Sequence, residues 1–563
     1  MNKKYFILST VVGGIMLILI IFTIQNLIPS EMNVTLTGTP ADNFSEEQRS
    51  KFCGTGNAKS NDYVKEYKIP TDCTLPQAIV ADPDGNIWFV ESNTGNLAKF
   101  DPSTKRFTEY DNPLWPQGER SMMWGIDYAP DETIWFTDEK YNSVWKFNIQ
   151  DEKYQRFSFP SEENSYPQRL EIHGSKLIIN DFKGNKLLFS HFKDFEFISP
   201  ATPISTDSVK SDEGLQSNLL PLKKELYSYS LASSLPNSVT ADFTIEGENI
   251  WYTNWVLNGT GILTKVNQTE FELSIQNEEE SLAFESFPLP ANLNTPNGIT
   301  ADNNGNIWLV DSSSSLFFKF NPRNENFTQY TTTNPHKSTY GNYTGEIKSP
   351  VSRPYWIDMN SSGKLVFNEQ GSNSIGVFDP DTESLVEYSI PSKNPHWGDC
   401  GNVEDCGLSQ VFDFVIDGDK IWFTEWSENN LGVVDTTILL PFEIHLGEDN
   451  ILLRPGESKS LTFSISSISK NTLPSVSIVL SESFEFLDVQ TNDATIENFS
   501  PDSFELINVT LHADDNLIPG KYKVLLGAAT DQVSVSKFVT VIVKSSTVPL
   551  FESILLENKQ IDP

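Results

Sequence analysis

Seven times between residues 76 and 425, a short apolar run closes on an acid or an amide: Glu91, Asp138, Asp181, Asn254, Asp311, Glu369 and Glu425. Six of the seven are carboxylates. Oxygen donors of this kind suit hard divalent ions, so Mg²⁺ or Ca²⁺ is the candidate cofactor, with Glu91, Asp138, Asp311, Glu369 and Glu425 as candidate ligands. The alternative is that each acid accepts hydrogen bonds from the backbone of a neighbouring unit, a role the repeat copies. A second set opens the units. Gln77, Gln168, Asn237 and Asn297 bring amides there, and Trp124 and Tyr355 bring rings. His396 and Trp397 stand beside Asp399 and Cys400 in a long insertion. Amides and exposed rings fit a glycan or peptide ligand, whereas the same rings packed as core would plug the space they line.

The elements that position these residues come from an internal repeat. PQAIVADPDGNIWFVES at 76–92 returns as PNGITADNNGNIWLVDS at 296–312, and a period of roughly fifty residues means stacked supersecondary units. The aligned triplets, such as Ile87-Trp88-Phe89 and Ile421-Trp422-Phe423, follow turn residues and are rich in aromatic and β-branched side chains. They read as strands joined by tight hairpins. A second strand follows, then in three of the copies an Asp-Pro or Asn-Pro turn, then a strand such as FTEYDNP at 107–113. Four strands per unit and seven units predict an all-β chain whose residues 63–437 form a seven-bladed β-propeller. The last unit lacks its fourth strand, and a spare copy, YVKEYKIP at 63–70, precedes the first. Pairing the two would close the ring and remove two sheet edges.

The uncharged run Tyr5–Ile24 follows Lys3 and Lys4 and is long enough to span a bilayer, so residues 1–28 are expected to be a signal anchor or transmembrane helix. Residues 29–62 read as an extracytoplasmic stalk. Residues 438–545 alternate apolar and polar positions, with turns at Pro455-Gly456 and Pro519-Gly520. This predicts an immunoglobulin-like β-sandwich, similar in pattern to adhesion-associated modules of prokaryotic surface proteins, with 546–563 as a tail. Four cysteines in the exported part imply two disulfides, most simply Cys53–Cys73 and Cys400–Cys406, although three pairings are formally open. A net charge of −36 excludes nucleic acid as an expected partner, since phosphate contacts need clustered Lys and Arg. Nine Asn-x-Ser/Thr sequons agree with export.

WFTEW at 422–426, WFTD at 135–138 and P-x-G-I-T at 296–300 resemble the streptogramin B (virginiamycin B) lyase-like propellers over about residues 63–435. The resemblance implies a site built from a Glu-x-His-Gly-Ile blade opening and the Glu that ends WF-x-E fourteen residues after that His. Two glutamates would hold Mg²⁺, and a His would act as base in opening a lactone by elimination. The fourteen-residue spacing is kept from Gln77 to Glu91, Trp124 to Asp138, Asn297 to Asp311, Tyr355 to Glu369 and Val411 to Glu425. The histidine is not, and Leu75, Met122, Thr295, Arg353 and Ser409 stand where the partner glutamate would be. None of the opening residues takes a proton near neutral pH. The resemblance therefore implies the fold and argues against the reaction. The expected role is recognition of an envelope polymer, a peptide or a surface protein by a membrane-anchored, extracytoplasmic protein. A divergent metal-dependent lyase or lactone hydrolase is the alternative, and a structural envelope component is another.

Overall fold

The computed structural model describes residues 39–158, 166–191, 229–232, 235–256, 259–276, 284–341, 350–482, 484 and 486–544. The expected membrane span and the tail at 546–563 lie outside the described residues. Among those described, no helix is long and apolar enough to cross a membrane.

The hairpin chemistry in the repeat sets the strands. In the first copy, Asp82 Oδ1 accepts from the backbone N–H groups of Asp84 (3.0 Å) and Asn86 (2.9 Å), and Asp82 Oδ2 accepts from Trp88 Nε1 at 2.9 Å. Asp302 does the same for Asn304, Asn306 and Trp308. Gly85 and Gly305 sit at φ of 78° and 75°, where a side chain would be strained. Each Asp thus ties the turn to the tryptophan of the strand that leaves it.

Seven four-stranded antiparallel sets follow in chain order among the described residues. Sheet 1 comprises Pro76–Ala81, Ile87–Glu91, Asn96–Asp101 and Arg106–Tyr110, and sheets 2 to 6 begin at Ile126, Pro167, Val239, Pro296 and Pro354. Sheet 7 joins Val411–Asp417, Lys420–Glu425 and Asn430–Asp435 to Val64–Lys68, paired antiparallel with Val64 opposite Val434. That is the expected closure by the spare strand. Each sheet touches the next in a cycle that returns to its start, because Val411–Asp417 contacts Pro76–Ala81. Large apolar residues fill the spaces between sheets; Trp88, Trp135, Trp251, Trp308 and Trp422 are all essentially buried. The result is a β-propeller.

Residues 442–543 form two further packed sheets. Phe442–Leu446, Ser458–Ser467, Phe504–Ala513 and Leu487–Thr491 make one. The other is continuous with the propeller: Val533–Val543 pairs antiparallel with Ser384–Ser389, the outer strand of sheet 6, with Tyr388 opposite Val533. Beyond Val533–Val543 come Gly520–Ala529, Leu473–Glu482 and Thr495–Phe499. The alternation of exposed and buried positions from Leu506 to Ala513 places Ile507, Val509 and Leu511 in the core between the two sheets. Both expected disulfides form, Cys53–Cys73 and Cys400–Cys406. The expected stalk is, from Thr39 onward, folded against the propeller: Pro40–Asn43 is a 3₁₀ turn and Glu46–Phe52 a helix.

Candidate functional site

In six of the seven sheets the opening residues sit where the first strand is bulged, as between Pro76 and Ile79, and a bulge re-aims the side chains it carries; in sheet 2, Trp124 precedes the unbulged strand Ile126–Ala129. Register decides which residues are equivalent. Pro76 pairs with Glu91, Thr240 with Asn254 and Val411 with Glu425. Ala241 and Phe412 are therefore the counterparts of Gln77. Asn237 is not an opening residue; it lies exposed in the turn before Val239, at φ 56°. Sheets 4 and 7 have shorter hairpins than sheet 1, which displaces any alignment made on the triplet alone.

Three of the openings meet. Trp124 of sheet 2 stacks on Tyr355 of sheet 6 at 6.3 Å and packs on Phe412 of sheet 7 at 5.5 Å. Sheets 2 and 6 are not neighbours, so these rings close the central channel from above. Trp124 Nε1 donates to Glu139 Oε2 at 2.6 Å. Gln77 is buried; its Oε1 accepts from Met123 N at 2.8 Å, and its Nε2 has no acceptor among the described residues. Asn297 is buried and Gln168 half-buried. His396 is exposed on the 3₁₀ turn Pro395–Trp397, while Trp397 donates its Nε1 to Lys51 O at 2.9 Å.

Beneath the rings the channel holds an ionic cluster that the sequence reading did not single out. Arg169 of sheet 3 lies 3.6 Å from Asp242 and 3.6 Å from Asp413, with its guanidinium 4.6 Å from the Trp356 ring centre. Burial pushes Glu171 up to about 8, with Asp242 adding to it and Arg169 opposing. Burial likewise raises Asp242 to about 7 and Asp127 and Asp413 to about 6. Three of these acids also clasp the next sheet: Ile172 N donates to Asp127, Ile299 N to Asp242 and Ile79 N to Asp413.

The seven acid positions do not converge on a mouth. Each is fully buried within its own sheet. Asp138 accepts from Ser121 Oγ at 2.5 Å and Trp145 Nε1 at 3.3 Å, and Asp181 from Tyr166 N and Gly184 N. Asp311 accepts from Thr295 N and from the hydroxyls of Thr295, Ser313 and Ser314. The longer acids reach the outer strand instead: Glu91 faces Glu109, Glu369 faces Glu387, and Glu425 faces Glu66. Burial and then the partner carboxylate hold Glu91, Glu369 and Glu425 well above the ordinary carboxylate range. Each outer glutamate also grips the connector of the preceding sheet, through Thr71, Thr333 and Ser392 respectively. Among the described residues, no three His, Cys, Asp or Glu side chains are grouped to hold a metal ion. The candidate ligands thus do not fit a shared divalent ion.

In five of the seven sheets the residue one place before the acid position bonds to the next sheet; before Glu91 and Asp311 it is a valine, Val90 and Val310. Thr137 Oγ1 donates to Gln168 O (2.7 Å), Asn180 Nδ2 to Ala241 O (2.8 Å) and Thr253 Oγ1 to Pro296 O (3.1 Å). Asn368 Nδ2 donates to Val411 O (2.9 Å), and Thr424 Oγ1 to Gln77 O (2.6 Å) across the ring closure. The signal was present as Thr or Asn at the x of WF-x-E.

No family model and no curated protein matches the chain. Solved structures similar to it include virginiamycin B lyase from Staphylococcus aureus, at 16% identity over 67% of this chain and 99% of that one, TM-score 0.46. A streptogramin B lyase is 17% identical over 66% of this chain and 96% of its own, also with TM-score 0.46. A structure of YCF48 bound to D1 peptide covers 68% of this chain and 97% of its own, at 10% identity and TM-score 0.36.

Proposed function

We propose that this protein is a recognition module rather than an enzyme, binding its ligand at the face onto which the strand openings and long inter-sheet connectors converge. The observation that carries the reading is the chemistry of the seven openings: Gln77, Trp124, Gln168, Ala241, Asn297, Tyr355 and Phe412. They are amides, rings and one methyl group, and none is a general base. Gln77 Nε2 and Trp426 Nε1 are buried there without acceptors among the described residues, and buried donors of this kind call for an acceptor from a ligand or water. We read each four-stranded sheet as one blade, seven in all, and the C-terminal pair of sheets as an immunoglobulin-like sandwich. The two disulfides support an oxidising, extracytoplasmic setting, and the apolar run at Tyr5–Ile24 supports a membrane anchor.

Two assays on the full chain test this. Arrayed peptides and glycans should be bound by the native protein and lost in Trp426→Ala, with its melt unchanged in cooperativity. A cyclic peptide lactone incubated with Mg²⁺ should stay closed. Chelator-sensitive ring opening would overturn the reading and restore the lyase alternative.

A further inference from the structure

The face over the channel is already occupied. Residues 40–52 lie across it and are held in a way that a foreign peptide would also be held. Asn93 Nδ2 donates to Pro40 O at 3.2 Å, and Asn394 Nδ2 to Ser50 O at 3.3 Å and Lys51 O at 3.4 Å. Trp397 Nε1 donates to Lys51 O at 2.9 Å. These are side-chain donors on main-chain carbonyls, which every peptide offers whatever its sequence. Selectivity comes from rings. Phe44 and Phe52 stack on each other at 5.2 Å, and Phe52 packs 5.4 Å from Trp426 and 5.7 Å from Trp397. The Arg120 guanidinium covers the Phe44 ring at 4.3 Å. Trp426 continues into Phe412 at 5.2 Å and so into the rings that close the channel.

The hold is light. Of residues 40–52 only Phe44 is fully buried. The helix has seven residues, too few to persist without its tertiary contacts. Cys53, bonded to Cys73, pins the far end, so residues 40–52 can lift as a flap while their base stays fixed. Lifting would bare Leu75, Met122, Trp397, Phe412 and Trp426, an apolar patch of the kind that marks a protein-binding surface.

We propose that residues 40–52 are a displaceable strap, and that the surface beneath is a site for a partner's peptide segment carrying aromatic side chains. The inference rests on the recognition reading above and names both its ligand class and its regulation. As a tethered segment, the strap competes at an effective concentration in the millimolar range, so free peptide meets a nearly filled site in the resting protein.

The test uses the full chain, the full chain with Phe44→Ser and Phe52→Ser, and that double variant with Trp397→Ala added. A labelled synthetic peptide of residues 39–52 is titrated into each and followed by fluorescence anisotropy. The double variant should bind at least about tenfold more tightly than the native chain, and Trp397→Ala should reverse the gain. In native-state hydrogen exchange, amides 46–53 should open at least about a hundredfold faster than 87–91. Equal affinity for native and double-variant chains would overturn the strap. So would exchange of 46–53 as slow as 87–91, or a double variant that no longer folds, since either makes the segment part of the core. If array ligands bind this face and the peptide does not, the peptide class falls and recognition stands. If neither binds there, both fall.

Discussion

Glu425 and Glu66 occupy one buried site, as do Glu369 and Glu387, while the buried Glu91 faces the half-buried Glu109. Two carboxylates in contact without solvent cannot both ionise cheaply, so the Glu425–Glu66 and Glu369–Glu387 pairs each keep a proton, and burial raises Glu91 in the same direction. The groups facing them add no cation: Thr94, Asn96 and Tyr154 stand by Glu91, Ser352 and Ser372 by Glu369, and Asn430 and Glu428 by Glu425. Their folded-state values lie above the unfolded one, so their stabilisation is complete at acid pH and is lost as pH rises through the folded values. The channel acids, raised to about 6 to 8, add to the same trend. The melting temperature is expected to fall between pH 6 and 9, and Glu425→Gln, which cannot ionise, to flatten that slope. A melt that rises over this range would contradict the pairing. A second residue-scale prediction concerns Thr424→Val. Removing the hydroxyl strands the Gln77 carbonyl at the ring closure and should cost about 1–3 kcal/mol by chemical denaturation. The repeat was legible at this scale, but its chemistry was read one place too far. The invariant-looking acids draw attention because carboxylates ligate metals, yet the Thr or Asn beside them points the other way along the strand, toward the next sheet.

At the scale of the element, the hairpins and the closing strand were legible because turn residues and alternation are local. Asp-x-x-x-Asn-x-Trp names its own turn, and YVKEYKIP repeats FTEYDNP closely enough to be placed in sheet 7. Asn237 was misplaced because equivalence across hairpins of unequal length depends on register, which a linear alignment does not carry. The folded state of residues 39–62 was also hidden. Their polar composition suits a linker, and only tertiary contact with Trp397, Trp426 and Glu428 orders them. The Cys53–Cys73 bridge closes a 20-residue interval, for which chain-entropy reasoning gives about 3 kcal/mol. Reduction, or Cys53→Ser with Cys73→Ser, should therefore lower the melting temperature measurably. An unchanged melt would show that the strap region contributes nothing to global stability.

The whole molecule is tied together through sheet 6. Phe538 from the C-terminal domain packs 5.1 Å from Tyr330, 5.8 Å from Phe378 and 6.2 Å from Phe317 of the propeller. Lys523 is ion-paired with Glu383, which also accepts from Tyr330 Oη. One buried cluster runs from Val366 and Tyr388 through Val535 to Val541. Propeller and sandwich should melt in a single calorimetric transition, and Phe538→Ala should lower it by about 3–5 kcal/mol. Two separate transitions would contradict a shared core. Pairing by strand addition could not be read from the sequence, since neither edge carries a mark that names its partner. At this scale the proposed recognition rests on one face of the propeller. The direct test is a hydrogen-exchange footprint of the full chain with its tightest-binding array ligand. The account predicts protection at residues 75–77, 122–124, 355, 396–397, 412 and 426. Protection confined to the exposed Phe504 and Leu506 of the sandwich, with the propeller face unchanged, would contradict it.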